Sequence, residues 1–554
     1  MNAPHWSESA RAWMQRVEWI LAAVLILLIL ILHLANMRHA GGLWRDETAA
    51  VNLALLPGFS DVWANLEHES FPLLFTMLLR GWSALGFAAN DVGLRTFGLI
   101  VGLVLLAALW WSGRRLSTSP PLLALVLFGL SPIAIRWGDS LRAYGLGVLF
   151  LILVLGTVWQ VVRAPSRRNV TLAIFAGVLA VQSLYPAAFV LAAICLAGAA
   201  LPLRRGDAKH ALLLVGIGIP AALSLLPYLG VVGRANQWNV VTQVPIDLTR
   251  IGLVLHRALS APTPVMFWFW TGLLAAAVIG SVLSLARWKR AIPRDNEERE
   301  IAWFLLSVII TTTAAYYLFL KIAKFPTETW YYLPWMAVVA LATDALIARL
   351  VRIDALRATR LVFVIIAAGL CIPGAWKGVH TRMTNLDLVA ERLNRIARSH
   401  DLVLVHPWFC VVSLKRYYTG PAEVATLPPL GDFRLQRLDL LKEQMQREDP
   451  LRPLLEKTQT TLRNGHTVWL VGYFLFSNPP QPAPRLPRAG EGPQGWRSEP
   501  YMIGYGMEMA YFLQTHARAS SPVQVTTDAP VNPFENLPVR AISGWRPPRV
   551  GGFP

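Results

Sequence analysis

The chain has 554 residues, of which 55% are hydrophobic and only 15% charged, with a mean hydropathy of +0.45. That charge content lies well below the roughly 25% of soluble domains and, together with 22 Trp, points to a membrane protein. The net charge of +18 sits mostly in short basic tracts beside apolar runs, the pattern of the positive-inside rule, so nucleic-acid binding is excluded as its explanation.

Apolar stretches near the roughly 17–25 residues of a membrane span are predicted, in chain order, at 17–37, 94–111, 122–135, 141–162, 170–185, 187–203, 211–232, 265–286, 301–320, 331–348 and 361–376. The first is too long for the core of a secretory signal, and no small-x-small cleavage site follows, so it reads as a retained helix. Residues 71–89 are also apolar but contain Arg80 and end at Asn90-Asp91. If they crossed, the tracts at Arg114, Arg204 and Arg287 would face outward. Laid along the outer surface as an interfacial helix, they leave every inner loop basic: Arg114/Arg115, Arg163/Arg167/Arg168, Arg204/Arg205/Lys209, Arg287/Lys289/Arg290/Arg294 and Arg349/Arg352/Arg357/Arg360. The resulting topology has about eleven spans, the N-terminus inside, and outer segments at 38–95, 136–140, 233–264, 321–330 and beyond 376.

The expected organisation is therefore mainly α: a polytopic helical module, residues 1–376, followed by a small outer α/β domain, residues 377–554. In that domain, 402–405 after Asp401 and 467–472 after Asn464-Gly465 have the character of buried strands. Residues 409–418 and 434–447 read as helices, and 478–500 as a Pro- and Gly-rich linker or loop. The last thirty or so residues read as loosely ordered. Cys195 and Cys371 lie in apolar runs and Cys410 stands alone, so neither a disulfide framework nor a zinc-type spacing is present.

Three motifs carry candidate chemistry. Gly41-Gly42-Leu43-Trp44-Arg45-Asp46-Glu47 places two carboxylates directly after the first span. Read structurally, Asp46 caps a helix at 48–55 and Glu47 favours its dipole; read functionally, they form a carboxylate site. Glu67-His68-Glu69-Ser70-Phe71-Pro72 reads as a solvated loop before a Pro-initiated helix, or as an acceptor or metal site. Its oxygen and imidazole groups permit Mg²⁺, Mn²⁺ or Zn²⁺ without choosing among them. In the turn Arg136 to Tyr144, Asp139 and Arg142 are three apart, the spacing of a helical ion pair. Arg142 and Tyr144 also enter an apolar helix, where charge is costly and usually functional. An interfacial guanidinium suits a phosphate.

The order "LWRDE", an acidic segment ending in Pro with "PLLF", "LRTFGLIVGLV", "SPIAIRWGDSLRAYGL" and "TWYYLPWMAVVAL" resembles the GT-C superfamily of polytopic membrane glycosyltransferases, in particular the protein-mannosyltransferase and aminoarabinose-transferase type. The resemblance covers roughly residues 17–350. It implies a sugar donor linked to a polyprenyl phosphate such as undecaprenyl phosphate. It also implies a bacterial inner membrane location, a catalytic carboxylate at Asp46 with Glu47 beside it, and juxtamembrane helices after it. Asp139, Arg142 and Tyr144 match the second motif, which implies a further catalytic carboxylate at Asp139 and donor-phosphate contacts at Arg142 and Tyr144. The family's His-Pro-Pro is here Ser70-Phe71-Pro72, and the Arg before the late Tyr is here Trp330. A phosphate contact would then fall to Arg45, Lys321 or Lys324, and Glu67, His68 and Glu69 would lie on the acceptor or metal side. The implied reaction is inverting transfer, with Asp46 as general base on an acceptor hydroxyl of a lipid, glycan or protein. A lipid transporter or flippase, or a membrane-anchored scaffold, are the readings from other classes.

Overall fold

A computed structural model of the chain describes residues 8–239, 246–287, 296–324, 326–351, 354–490, 497–527 and 529–546. Lys289, Arg290, Arg294 and Arg352, and residues 491–496 of the Pro- and Gly-rich stretch, lie outside the described residues. The chain forms two compact units.

The first unit comprises Met1–Arg38, Phe71–Leu229 and Val244–His380. Among the described residues, nine helices are long and apolar enough to cross a bilayer: Glu8–His39, Asp91–Leu116, Tyr144–Arg163, Ala187–Arg204, Ala208–Trp238, Val265–Ala286, Glu297–Ala323, Thr329–Leu350 and Ala355–Val379. They mark a multi-pass membrane protein. Two further predicted stretches take other forms. Residues 170–185 fall in the helix Arg167–Ser183, of 17 residues. Residues 122–135 are interrupted by a π-helical turn at Leu125–Gly129 and by Pro132 at the start of the next helix, Pro132–Gly138; both features break a regular hydrogen-bond ladder. The ambiguous stretch 71–89 forms Leu73–Ala84, a helix of 12 residues. At 1.5 Å per residue it spans about 18 Å, too short for a hydrocarbon core of about 30 Å.

Several buried charges in this unit are paired. Glu18 accepts from Arg357 at 2.8 and 2.6 Å, and Arg360 bonds Asp344 at 3.1 Å. Asp344 also accepts from the Leu123 backbone N–H at 2.8 Å. Two arginines expected simply to mark an inner loop thus tie the helix Asp354–Val379 to the first helix and to Leu333–Leu350. Removing one partner of such a set would leave an uncompensated buried charge.

The second unit comprises His39–Ser70, Gly230–Gln243 and Thr381–Pro554. It therefore gathers two segments that the sequence reading assigns to the membrane module. Its centre is a five-stranded mixed sheet in the order β2-β1-β3-β5-β4, with β1 Leu402–His406, β2 Glu423–Thr426, β3 Val468–Gly472, β4 Ala517–Val523 and β5 Val539–Trp545. β1 runs parallel to β2 and β3, and β5 is antiparallel to β3 and β4. Leu402, Leu404, Val468 and Leu470 point into one apolar cluster, and Val403, Val405, Trp469 and Val471 into another. A sheet covered on both faces needs unbroken apolar strands, which is why β1 and β3 stand out in the sequence. The expected helices appear as Val411–Tyr417 and Leu438–Gln446. The expectation of a loose C-terminal segment is corrected: β5 lies in it and pairs on both edges.

Candidate functional site

In the second unit the Arg-Asp-Glu motif begins a helix, Arg45–Ala54, rather than preceding one at 48. Trp44 is the N-cap and makes no side-chain cap bond, so the capping role expected for Asp46 is corrected. Asp46 and Glu47 stand in the first turn, where negative charge complements the helix dipole. The helix is held from several directions. Ala49 enters an apolar cluster with Val411 and Leu414, Leu43 N–H donates to the Tyr417 hydroxyl at 2.6 Å, and Asn52 donates to the Arg434 carbonyl at 2.8 Å. Glu47 is fully buried. Asp46 keeps 25% of its side chain exposed. Gln436 Nε2 donates to its Oδ1 at 2.6 Å, and Arg45 Nε lies 3.5 Å from the same oxygen. The Arg45 guanidinium itself lies over Phe409, 4.5 Å from the ring centroid.

A third carboxylate underlies this pair. Glu535 is fully buried, and its two oxygens accept from the Arg45 backbone N–H at 3.2 Å and the Ser413 hydroxyl at 3.0 Å. Burial pushes its pKa up to about 8; Arg45 and Ser413 counter that push and Asp46 adds to it.

The Glu67-His68-Glu69 segment is taken up separately. Glu67 pairs with Arg234, and Glu69 accepts from the Ser70 backbone N–H at 2.7 Å. His68 is buried to 4% side-chain exposure, with Nε2 4.0 Å from Glu67 and Nδ1 3.9 Å from Asp439. Its ring stacks on Trp238 at 5.8 Å. Burial lowers its pKa, against the pull of Asp439. Arg437 bridges Asp432 at 3.0 Å and Asp439 at 2.6 Å. Among the described residues no three His, Cys, Asp or Glu side chains are placed to hold a metal ion.

In the first unit Asp139 ends the helix Pro132–Gly138 and is buried. Its two carboxylate oxygens lie 2.7 and 2.9 Å from His33 Nδ1, and Asn36 donates to it at 3.3 Å. Gly98 and Gly102 on the helix Asp91–Leu116 make the space: a Cβ at either would overlap Asp139. Residues 139–143 form no helix, so the three-residue spacing of Asp139 and Arg142 is not that of one helical face. Arg142 is buried with its guanidinium 4.6 Å above the Phe71 ring. Tyr144 opens the next helix and meets Phe71, Trp137 and Tyr331 edge-on. Trp330, standing where the resembled family has Arg, stacks on Trp137 at 4.0 Å. Lys321 donates to the Ile246 carbonyl at 2.9 Å, and Lys324 follows the same helix at a left-handed φ of 50°.

Gln436, Asp439, Trp238 and Glu535 were not legible as site residues. They reach the motifs through contacts 170 to 490 residues apart in sequence, and no local spacing announces such partners.

No protein-family model matches the sequence, and no curated protein matches it. Solved structures match it in shape. One is the crystal structure of ArnT from Cupriavidus metallidurans bound to undecaprenyl phosphate, with a TM-score of 0.44 and 12% identity over 82% of this chain and 92% of that chain.

Proposed function

We propose that the chain is a membrane glycosyltransferase that takes its sugar from a polyprenyl-phosphate donor and delivers it to an acceptor hydroxyl, with Asp46 as general base. The observation that carries this reading is the environment of Asp46. It is a partly exposed carboxylate oriented by Gln436 and Arg45 on a packed helix, within the motif order that resembles the GT-C enzymes.

One Asp46 oxygen is engaged by Gln436, which fixes the rotamer, and the carboxylate takes the acceptor proton. The acceptor oxygen then forms a bond to the anomeric carbon as the bond from that carbon to the phosphate oxygen breaks. The electron pair leaves with polyprenyl phosphate, a stable anion that needs no strong acid, and the anomeric configuration inverts. Arg142 is assigned to the phosphate, because a guanidinium stacked on Phe71 is pre-oriented to bind an oxyanion through its planar fork. Arg45, Lys321 and Lys324 are further cations for that charge. Glu47 and Asp139, both buried, are assigned positioning roles. No step is routed through a metal. The N-terminus is assigned to the cytoplasm and the C-terminal domain to the outer face, from the basic loops alone.

The test is transfer of labelled sugar from polyprenyl-phosphate donors by the purified chain in lipid, wild type against Asp46→Asn, with and without EDTA. Transfer or donor hydrolysis that depends on Asp46 supports the reading. A folded protein that binds polyprenyl phosphate but turns over no donor refutes it.

A further inference from the structure

Within the second unit, residues 233–238 and the helix Leu438–Gln446 border a cleft of about 500 Å³ that none of the three motifs contributes to directly. Its wall combines an indole, Trp238, with amides, Asn236 and Gln446, and carboxylates, Asp439 and Glu443. The Trp238 indole N–H finds no hydrogen-bond partner among the described residues. Behind Trp238 and Asp439 stands His68, with a buried Nδ1 that likewise makes no hydrogen bond.

This lining discriminates among ligand chemistries. A phosphate or other anion would face the Glu443 carboxylate, beside Asp439, which is already paired with Arg437 at 2.6 Å. Among the described lining residues only Lys442 is cationic, and its ammonium already donates to the Gln237 carbonyl at 2.7 Å. A purely apolar ligand would strand the amides and carboxylates without partners, which is costly. Hydroxyl groups each donate and accept, so they satisfy the acceptor-only Glu443 carboxylate and the bifunctional amides together. A carbon-bound hydrogen face, such as one side of a pyranose ring, packs on an indole. We propose that this cleft is a saccharide-binding subsite that holds the sugar of the acceptor. The proposal rests on the glycosyl-transfer reading for its role, and on the cleft's lining for its ligand class.

The test uses the full chain in lipid nanodiscs and saturation-transfer NMR with four probes: glucosamine, N-acetylglucosamine, galactose and mannose. Wild type, Trp238→Ala, Trp238→Phe and Gln446→Ala are compared, with circular dichroism as the folding check. The expected result is saturation transfer to at least one sugar, weakened about tenfold or more in Trp238→Ala and partly restored in Trp238→Phe. Gln446→Ala should weaken it as well and serves if Trp238→Ala fails to fold. No transfer to any of the sugars by folded wild type, or full binding by folded Trp238→Ala and Gln446→Ala, overturns the proposal. Saccharide binding without any Asp46-dependent donor turnover upholds the subsite and sinks the transfer reading, so the two failures are told apart.

Discussion

Asp46 and Asp139 each sit in a short polar motif beside apolar helices, yet their surroundings differ in kind. Asp139 is closed in by His33, Asn36 and two glycines that leave no room for a side chain. Asp46 is steered by Gln436 and Arg45 but keeps a quarter of its surface exposed. A carboxylate whose oxygens are engaged inside the protein holds the structure together, whereas one with open surface has room for a substrate hydroxyl. Residue type and motif made both aspartates candidates for catalysis; only their packing separates them.

The largest effect should come from the open carboxylate. Asp46→Asn should lower transfer about 10²- to 10⁴-fold with little change in unfolding temperature, read from labelled-sugar transfer and thermal unfolding of the same preparation. If Asp139→Asn inactivated the protein without destabilising it while Asp46→Asn stayed active, the contrast would be reversed.

Glu535 comes next, through pH. Its folded pKa of about 8 lies above its ordinary 4.5, so the folded state holds a proton that the unfolded chain has lost. Stability from this group is full below about 4.5 and declines as pH rises toward 8. Denaturant unfolding at several pH values should show the slope in wild type and its loss in Glu535→Gln. An identical slope in both would remove Glu535 as the buried support beneath Arg45 and Asp46.

Asp139→Leu should cost about 1–3 kcal/mol by leaving His33 and Asn36 unpaired, and Gly102→Ala should cost a similar roughly 1–3 kcal/mol by overpacking against the carboxylate. Unchanged unfolding in both variants would show that the Asp139 network is not structural. Smallest of all, Arg234→Ala removes a half-exposed pair with Glu67 and should shift stability by less than about 1 kcal/mol. A larger loss would mean that the pair anchors the segment around His68.

Much of the molecule was readable before folding, for reasons visible in particular residues. The predicted span 141–162 is helical from Tyr144 onward, in the helix Tyr144–Arg163. Residues 71–89 carry Arg80 and stop short of a span, and they form a helix of 12 residues. Strands β1 and β3 are apolar over 402–405 and 468–471 because both faces of their sheet are covered. β5 escaped notice because Val539–Trp545 is a mixed run with Arg540 and Gly544, strand-like only against its neighbours. The helix at Arg45 was placed three residues late, because its N-terminus is fixed by Glu535 and Tyr417 rather than by a local cap.

By itself, then, the sequence determined the properties that arise from nearest neighbours along the chain: which segments are apolar and long enough to cross, which loops are basic, where two strands lie, and which short motifs hold unusual charge. Tertiary structure alone decided which carboxylates are open, which are sealed, and which distant groups steer them. Burial and hydrogen bonding are set by residues hundreds of positions apart. A polar side chain reads the same along the chain whether its partner turns out to be water, an imidazole or an amide.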